Sequence, residues 1–199
     1  VNDEASKLYS PLNEQKIQNE INIIFISRIS RKKNLDFAIR SLLGLDGKVI
    51  FDIYGPHEDL DYVSKCKGIA LDLPDNVSVC FKGDIEHENV PDLFKKYDIF
   101  YLPTKGENFG QVIWESLSCG CPVLISDQTP WSKVEADGVG WALPLLHMDA
   151  FTDVLQGIID NDPNYSLNRK SIHRYALGVA NTSESITANR QLFTNGVEN

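Results

Sequence analysis

The sequence lacks several features that would place it quickly in a function class. It has no Gly-x-Gly-x-x-Gly fingerprint and no Gly-Lys-Ser/Thr loop, so hydride transfer with a dinucleotide and ATP hydrolysis lose support. No apolar run reaches the ~20 residues that a membrane helix needs, and no signal peptide is recognisable. The 19 basic against 28 acidic residues and the net charge of -9 argue against a broad surface for nucleic acid or anionic membranes.

Cysteine is scarce as well, and its four residues show no disulfide-framework spacing. Cys119 and Cys121 are one residue apart, but a zinc site usually needs two more ligands at characteristic spacing, and the four histidines are scattered. We therefore expect small buried thiols, no bound metal and a cytoplasmic protein.

What the sequence does contain is a regular alternation of β-rich and helical segments, over a length sufficient for one well-packed domain. The predicted strands cover residues 21–27, 48–54, 77–81, 99–104, 122–126 and 140–143. The predicted helices cover residues 34–45, 59–73, 89–97, 110–119, a short stretch through 133, and 148–160. Nearly continuous apolar strands are typical of parallel sheets covered on both faces. Right-handed crossovers then give an α/β fold with a Rossmann-like doubly wound parallel sheet.

The chain is expected to divide into three parts. Residues 1–20 are polar with little periodicity and indicate a linker or domain-joining segment, and residues 21–162 form the Rossmann-like domain. Residues 163–199 are predicted to form two polar helices, broken near residue 181, that pack on that domain. Ligands of such sheets bind outside the carboxyl ends of the strands, so the loops at these ends are the candidate site.

A basic cluster follows the first predicted strand and precedes a helix. It consists of Arg28, Arg31, Lys32 and Lys33. Guanidinium and ammonium groups at a strand end can neutralise a diphosphate, arginine through a forked pair of hydrogen bonds and lysine as a compact charge. A solvated basic turn fits the same spacing, so the cluster alone leaves both interpretations open.

Two glutamates, Glu107 and Glu115, flank the start of the helix that follows the fourth strand. Asn108 is the predicted N-cap, Gly110 lets a ligand approach the backbone, and the free N–H groups of the first turn form an anion site. Eight residues at helical rise span at most ~12 Å, so the two carboxylates can flank a ligand whose phosphates lie at the helix N-terminus. A nucleoside diphosphate sugar has this layout.

The glutamate pair also admits two other interpretations. Glu107 can complement the helix dipole while Glu115 is a solvated helix residue. Alternatively, two carboxylates can serve a glycoside hydrolase as acid and base or nucleophile. A hydrolase has no need of Arg28 and Lys33, which makes that hypothesis the weakest of the three.

Several short motifs occur in a fixed order along the chain. They are Ser27-Arg28-x4-Lys33-Asn34, Tyr54-Gly55-Pro56, Phe81-Lys82-Gly83-Asp84, and the segments 102–115 and 120–127. Together they resemble the donor-binding C-terminal domain of group 1 (GT4-type) glycosyltransferases, retaining enzymes of the GT-B fold, over roughly residues 20–160. Segments 127–131 and 140–145 are similar to members that build bacterial surface polysaccharides.

The resemblance implies a role for each matching residue. Arg28 and Lys33 bind the donor diphosphate and stabilise the departing nucleotide, Glu107 contacts the transferred sugar, and Glu115 holds the ribose hydroxyls. The other expected donor contacts are the backbone of Asn108, Phe109, Gly110, Gln111 and Val112, together with Gly55, Gly83 and Ile85, of which the last two edge the base. Ser27 departs from the family pattern, in which glycine often precedes the arginine.

The resemblance also implies a reaction. A hexose passes from a UDP- or GDP-sugar to a glycan or lipid-linked acceptor, in capsule or O-antigen synthesis and without a metal or other cofactor. Asp59-Leu60-Asp61 matches the Asp-x-Asp of metal-using sugar transferases, but it does not close an apolar strand, and we interpret it as a helix start.

The resemblance finally implies a partner domain. The acceptor belongs on a separate N-terminal domain, through which the enzyme is peripheral at the inner membrane. We expect the 199 residues alone to bind donor weakly and to transfer nothing. The alternative is a nucleotide-sugar-binding module with no activity of its own.

Overall fold

The computed structural model describes residues 18–181, which form a single parallel β-sheet flanked by helices. The strands are β1 (Glu20–Ile26), β2 (Lys48–Tyr54), β3 (Val77–Gly83), β4 (Ile99–Leu102), β5 (Val123–Ser126) and β6 (Gly140–Leu143). The helices are α1 (Leu35–Arg40), α2 (Leu60–Leu71), α3 (Val90–Phe94), α4 (Gln111–Ser118), α5 (Met148–Ile159) and α6 (Arg169–Asn181). Two 3₁₀ turns, His87–Asn89 and Pro163–Tyr165, precede α3 and α6.

The strand order is β3-β2-β1-β4-β5-β6, and each neighbouring pair runs parallel. The predicted Rossmann-like doubly wound sheet is therefore confirmed. The chain winds outward from β1 through β2 to β3 and then returns to the other side of β1 with β4. Consequently the order reverses between β1 and β4, and the loops that follow these two strands open a crevice there.

The central strands form the core of the domain. Ile21, Ile23, Ile24 and Phe25 of β1 and all four residues of β4 are fully buried. The Tyr101 hydroxyl of β4 lies 2.8 Å from Ser41 Oγ and so satisfies the buried polar atoms of both residues. The backbone at the crevice is therefore held by a rigid, solvent-free sheet.

The C-terminal helix α6 packs against α4. The Trp114 indole N–H of α4 donates to the Ala176 carbonyl at 3.4 Å, and His173 Nδ1 lies 2.6 Å from the Ser118 carbonyl oxygen. Arg169, the first residue of α6, donates to the Tyr97 and Phe94 carbonyls at 2.8 and 2.9 Å. The first two of these bonds join α6 to α4, the helix that carries Glu115. The second predicted C-terminal helix, beyond residue 181, and most of the predicted linker lie outside the described residues.

Some predicted helices were too long. The helix predicted over 34–45 ends at Arg40 and gives way to turns, and the helix predicted over 89–97 is a 3₁₀ turn followed by the short α3. The short helix predicted through residue 133 was wrong, because residues 130–138 form successive turns that end at Gly138 with φ +65°. Glycine adopts this left-handed backbone without the steric cost that a side chain brings.

None of the helices between residues 18 and 181 combines the length and apolarity that crossing a bilayer requires.

Candidate functional site

A cavity of about 710 Å³ opens at the crevice outside the carboxyl ends of β1 and β4. Its volume falls within the ~300–1,000 Å³ of typical small-molecule sites. It is lined by Arg28, Lys32, Lys33, His87, Val90, Pro91, Glu107, Asn108, Phe109, Gly110, Gln111, Trp114 and Glu115. Three of the four cations of the basic cluster and both glutamates, which the sequence placed after different strands, therefore share one cavity.

Lys33 and Glu107 form an ion pair in this cavity. Lys33 Nζ lies 2.5 Å from Glu107 Oε1, and each side chain is 12% exposed. Such an enclosed pair is retained only where the attraction and further hydrogen bonds offset the loss of hydration. The pair therefore joins the loop after β1 to the loop after β4.

Backbone contacts bring the two loops together at this point. Asn34, which is buried and left-handed at φ 60°, donates its side-chain amide to the Pro103 carbonyl at 3.0 Å. The Lys105 N–H and the Thr104 hydroxyl both donate to the Lys32 carbonyl, at 2.8 and 3.3 Å. Asparagine tolerates the left-handed conformation better than most residues, which explains why it occupies this turn.

The remaining cations of the basic cluster separate into two groups. Arg28 lines the cavity but is 63% exposed and pairs with Glu58 at 3.2 Å. Arg31 is not among the lining residues and instead bonds to Asp59 Oδ2 at 3.0 Å. Lys32, to which the family resemblance gave no role, does line the cavity. The cavity thus holds three cations from one loop.

Asp59 caps a helix, as interpreted from the sequence. Its carboxylate accepts the Tyr62 N–H at 2.9 Å at the start of α2. That hydrogen bond, followed by the nearby Arg31, holds the pKa of Asp59 below its usual value. Within residues 18–181, no cluster of three or more histidine, cysteine or acidic side chains is arranged to hold a metal ion.

The N-terminus of α4 faces the cavity, but its cap differs from the prediction. Gly110, with φ 76° and ψ 53°, is the N-cap, and Asn108 lies two residues too early to cap the helix. A left-handed cap residue favours glycine, since a Cβ here would lie 2.8 Å from the Ile113 side chain. The first backbone N–H used by the helix is that of Ile113, which bonds to Gly110 O at 2.8 Å. Among residues 18–181, the N–H groups of Gln111 and Val112 have no acceptor, as expected for the first turn of a helix.

Glu115 lies deeper in α4 and contacts a residue that sequence reasoning missed. His87 Nε2 lies 3.2 Å from Glu115 Oε1, with His87 exposed and Glu115 mostly buried. Val90 and Pro91 of α3 continue the same wall of the cavity. No sequence motif marks His87, Val90 and Pro91. Only their position after the carboxyl end of β3, at the same edge of the parallel sheet as the crevice, could have suggested them.

Four predicted donor contacts lie outside the cavity lining: Gly55, Gly83, Ile85 and Val112. Gly55 has a structural task, because a Cβ there would lie 2.1 Å from the Ser27 carbonyl oxygen, and its N–H donates to the Gly83 carbonyl at 2.8 Å. Gly55 thus lets β2 end close to the loop that carries Arg28, whereas a Cβ at Gly83 would meet nothing within 4 Å. Their contacts with a donor stay a prediction.

Cys119 and Cys121 are buried, as the sequence indicated. Burial raises the pKa of the Cys119 thiol to about 12 and that of Cys121 to about 11. Neither thiol is among the cavity-lining residues. Both cysteines therefore pack as small apolar side chains.

Comparisons with known proteins agree with this geometry. Residues 12–176 match the family model described as glycosyl transferases group 1. An uncharacterized 41.2 kDa protein in the cps region of Klebsiella pneumoniae is 27% identical over 131 residues, 64% of this chain and 34% of that protein. The lipopolysaccharide core biosynthesis mannosyltransferase LpsB of Rhizobium meliloti is 24% identical over 174 residues, 82% of this chain and 47% of that protein.

Solved structures show the same fold. The Anabaena protein Alr3699/HepE, crystallised in complex with UDP and glucose, superposes with a TM-score of 0.67 at 20% identity, over 91% of this chain and 49% of that chain. The present chain thus spans about half or less of the length of the proteins it matches. The recognition of a group 1 glycosyltransferase domain of the GT-B type from the ordered motifs is confirmed. Because the family model covers more than half of the chain, this protein belongs to the group 1 glycosyltransferases.

Proposed function

We propose that this domain binds the nucleoside diphosphate sugar from which a retaining glycosyltransferase takes a hexose. The observation that carries the proposal is the arrangement of three cations and the N-terminus of α4 around one cavity, with a glutamate on either side. Arg28 and Lys33 take the diphosphate together with the N–H groups of Gln111 and Val112. Glu107 takes the sugar hydroxyls, and Glu115 takes the ribose.

The residues of the cavity also supply the chemistry of transfer. As the glycosidic bond breaks, negative charge develops on the departing nucleoside diphosphate. Fixed cations and aligned N–H groups stabilise this charge without reorganising, which is the largest contribution in many enzymes. Arg28 and Lys33 therefore act on the leaving group, and we propose that the transfer proceeds without a metal ion.

The acceptor is proposed from the relatives. The mannosyltransferase LpsB is named for lipopolysaccharide core biosynthesis, and the Klebsiella relative is named for the cps region. We infer a glycan or lipid-linked acceptor and a role in capsule or O-antigen synthesis. Since this chain spans only part of these relatives, we place the acceptor on a second, N-terminal domain.

Calorimetric titration of the protein with UDP, GDP and their sugars tests the proposal. We expect binding that a chelator leaves unchanged and that Lys33→Ala or Glu115→Ala weakens at least ten-fold. Lys133→Ala and Glu135→Ala, at exposed positions outside the cavity, are matched controls and should bind as the wild type does. Failure of the wild type to bind any of these nucleotides would overturn the proposal.

A second candidate function is a nucleotide-sugar-binding module with no activity of its own. It is favoured by the share of the relatives that the chain spans, about half or less. A transfer assay on these 199 residues with donor and acceptor glycan separates the two. Turnover by the chain alone would exclude the module and would also show that no second domain is needed.

A further inference from the structure

The loop that carries Glu107 is held by hydrogen bonds to a segment that comprises the last residue of β5 and the residues that follow it. Three hydrogen bonds join the two segments in sequence order. The Ser126 hydroxyl donates to the Thr104 carbonyl at 2.5 Å, and the Glu107 N–H donates to the Gln128 carbonyl at 3.2 Å. In the third hydrogen bond, the Trp131 indole N–H donates to the Phe109 carbonyl at 2.6 Å, which is shorter than the bond from the Glu107 N–H.

Trp131 is placed for this contact by its own packing. Its side chain is buried, and its ring meets the ring of Phe109 edge-on, with centroids 6.0 Å apart. Its backbone N–H donates to the Thr129 hydroxyl at 3.2 Å, which holds the turn. Phe109 and Gly110 line the cavity and Trp131 does not, so the indole contacts the loop from outside the cavity.

The direction of the Phe109 carbonyl determines the direction of the following N–H group, that of Gly110. A trans peptide group is planar, and its C=O and N–H point in opposite directions. No cis peptide occurs among the described residues. With the Phe109 carbonyl directed at Trp131, which lies outside the cavity lining, the Gly110 N–H is directed away from Trp131. It has no hydrogen-bond acceptor among residues 18–181.

A glycine at this position makes such a constraint necessary. Gly110 can adopt either sign of φ at little cost, so the peptide before it could rotate and present its carbonyl oxygen to the cavity. An oxygen there would repel a phosphate, whereas an N–H attracts one.

We propose that Trp131 is a positioning residue for donor binding, whose indole N–H fixes the Phe109–Gly110 peptide so that the Gly110 N–H faces the diphosphate. The proposal rests on the nucleotide-sugar function proposed above. It adds to the expected set a residue that touches no part of the donor and acts through the backbone.

The test compares two tryptophans by calorimetry with UDP and GDP. Trp131→Phe keeps a buried ring but removes the N–H, and we expect it to weaken binding of whichever nucleotide the wild type takes by about 3- to 10-fold, the worth of one hydrogen bond. Trp141→Phe is the matched control, since Trp141 is equally buried and packs on Tyr165 away from the cavity. It should bind within about two-fold of the wild type.

A spectroscopic measurement separates positioning from a general packing role. In ¹H–¹⁵N spectra, the Gly110 amide proton of the wild type should shift on addition of UDP or GDP, and Trp131→Phe should abolish the shift even at saturating nucleotide. Equal affinities and equal Gly110 shifts in the two variants would overturn the positioning role alone. Absence of wild-type binding to both nucleotides would overturn the proposed function and this role with it.

The wild type provides the test if Trp131→Phe does not fold. Its Trp131 indole proton should exchange with D₂O more slowly than that of an exposed indole, and its Gly110 amide should respond to nucleotide. A rapidly exchanging Trp131 indole or an unresponsive Gly110 amide would each contradict the proposal.

Discussion

The ion pair between Lys33 and Glu107 should respond to mutation differently from the pair between Arg28 and Glu58. The Lys33 and Glu107 side chains are each 12% exposed and lie 2.5 Å apart, whereas Arg28 and Glu58 are 63% and 47% exposed and lie 3.2 Å apart. Removing one member of the enclosed pair leaves a charge with little water and without its paired counterion. Removing one member of the exposed pair leaves a charge that water solvates.

The expected magnitudes follow from this difference. We expect Lys33→Met or Glu107→Gln alone to lower the free energy of unfolding by about 1–3 kcal/mol. This is less than for a fully buried pair because the cavity is open to solvent. The double variant should recover part of the loss, which gives a coupling free energy of about 1–2 kcal/mol. For Arg28→Met with Glu58→Gln, the coupling should stay below about 1 kcal/mol.

Urea unfolding at pH 7, followed by tryptophan fluorescence, measures both cycles, provided that the m-value is the same for all variants. Nucleotide titration of the same proteins gives a second result. The double variant Lys33→Met with Glu107→Gln should regain stability without regaining donor binding, because the proposed function has both side chains bind the donor. A coupling for Lys33 and Glu107 no larger than that for Arg28 and Glu58 would refute the view that the cavity encloses the pair.

Three further predictions concern stability, each measured by urea unfolding. Gly110→Ala should destabilise by about 1–3 kcal/mol, because φ is +76° and the new methyl meets a side-chain carbon at 2.8 Å; Gly68→Ala, mid-helix with nothing within 4 Å, should instead stabilise by about 0.5–1 kcal/mol. Burial raises the pKa of Cys119 from 9.0 to about 12, so the thiol ionises at lower pH in the unfolded state than in the folded state. The contribution of the protonated thiol to the free energy of unfolding is therefore complete below pH 9 and is lost as the pH rises from 9 toward 12. The free energy of unfolding of Cys119→Ala should therefore fall less steeply with pH over that window than that of the wild type. An equal slope in the two proteins would contradict a raised pKa for Cys119. Arg169→Ala leaves backbone carbonyls without their donor and should cost about 1–3 kcal/mol, whereas Lys170→Ala, at an exposed position, should change little.

The strands could be predicted well from the sequence, and the helix ends could not. The predicted strands over 48–54 and 140–143 agree with β2 and β6 residue for residue, because each is a short apolar run next to a glycine or proline. The helix predicted over 34–45 ends at Arg40, where Ser41 turns its hydroxyl to the Ala38 carbonyl and Tyr101. Periodicity does not record such a tertiary contact.

The same limit applies to the site. That Lys33 and Glu107 lie near each other could be predicted, since both follow strands on either side of the reversal in strand order. The contact of His87 with Glu115, and that of Trp131 with Phe109, join residues 28 and 22 positions apart. These contacts depend on how the loops fold over the sheet edge, which neither spacing nor residue type specifies.

The surroundings of the two glutamates distinguish a donor site from a hydrolase. A hydrolase needs its two carboxylates to act on one neutral glycosidic bond. Here Glu107 is held by Lys33, Glu115 contacts His87, and the unused N–H groups at the start of α4 belong to the chain segment between the two glutamates. An electropositive helix end contributes nothing to a neutral bond but strongly favours an anion. The arrangement therefore favours the proposed donor over a hydrolase substrate, because a diphosphate is anionic and would lie at the helix end, with the sugar near Glu107 and the ribose near Glu115.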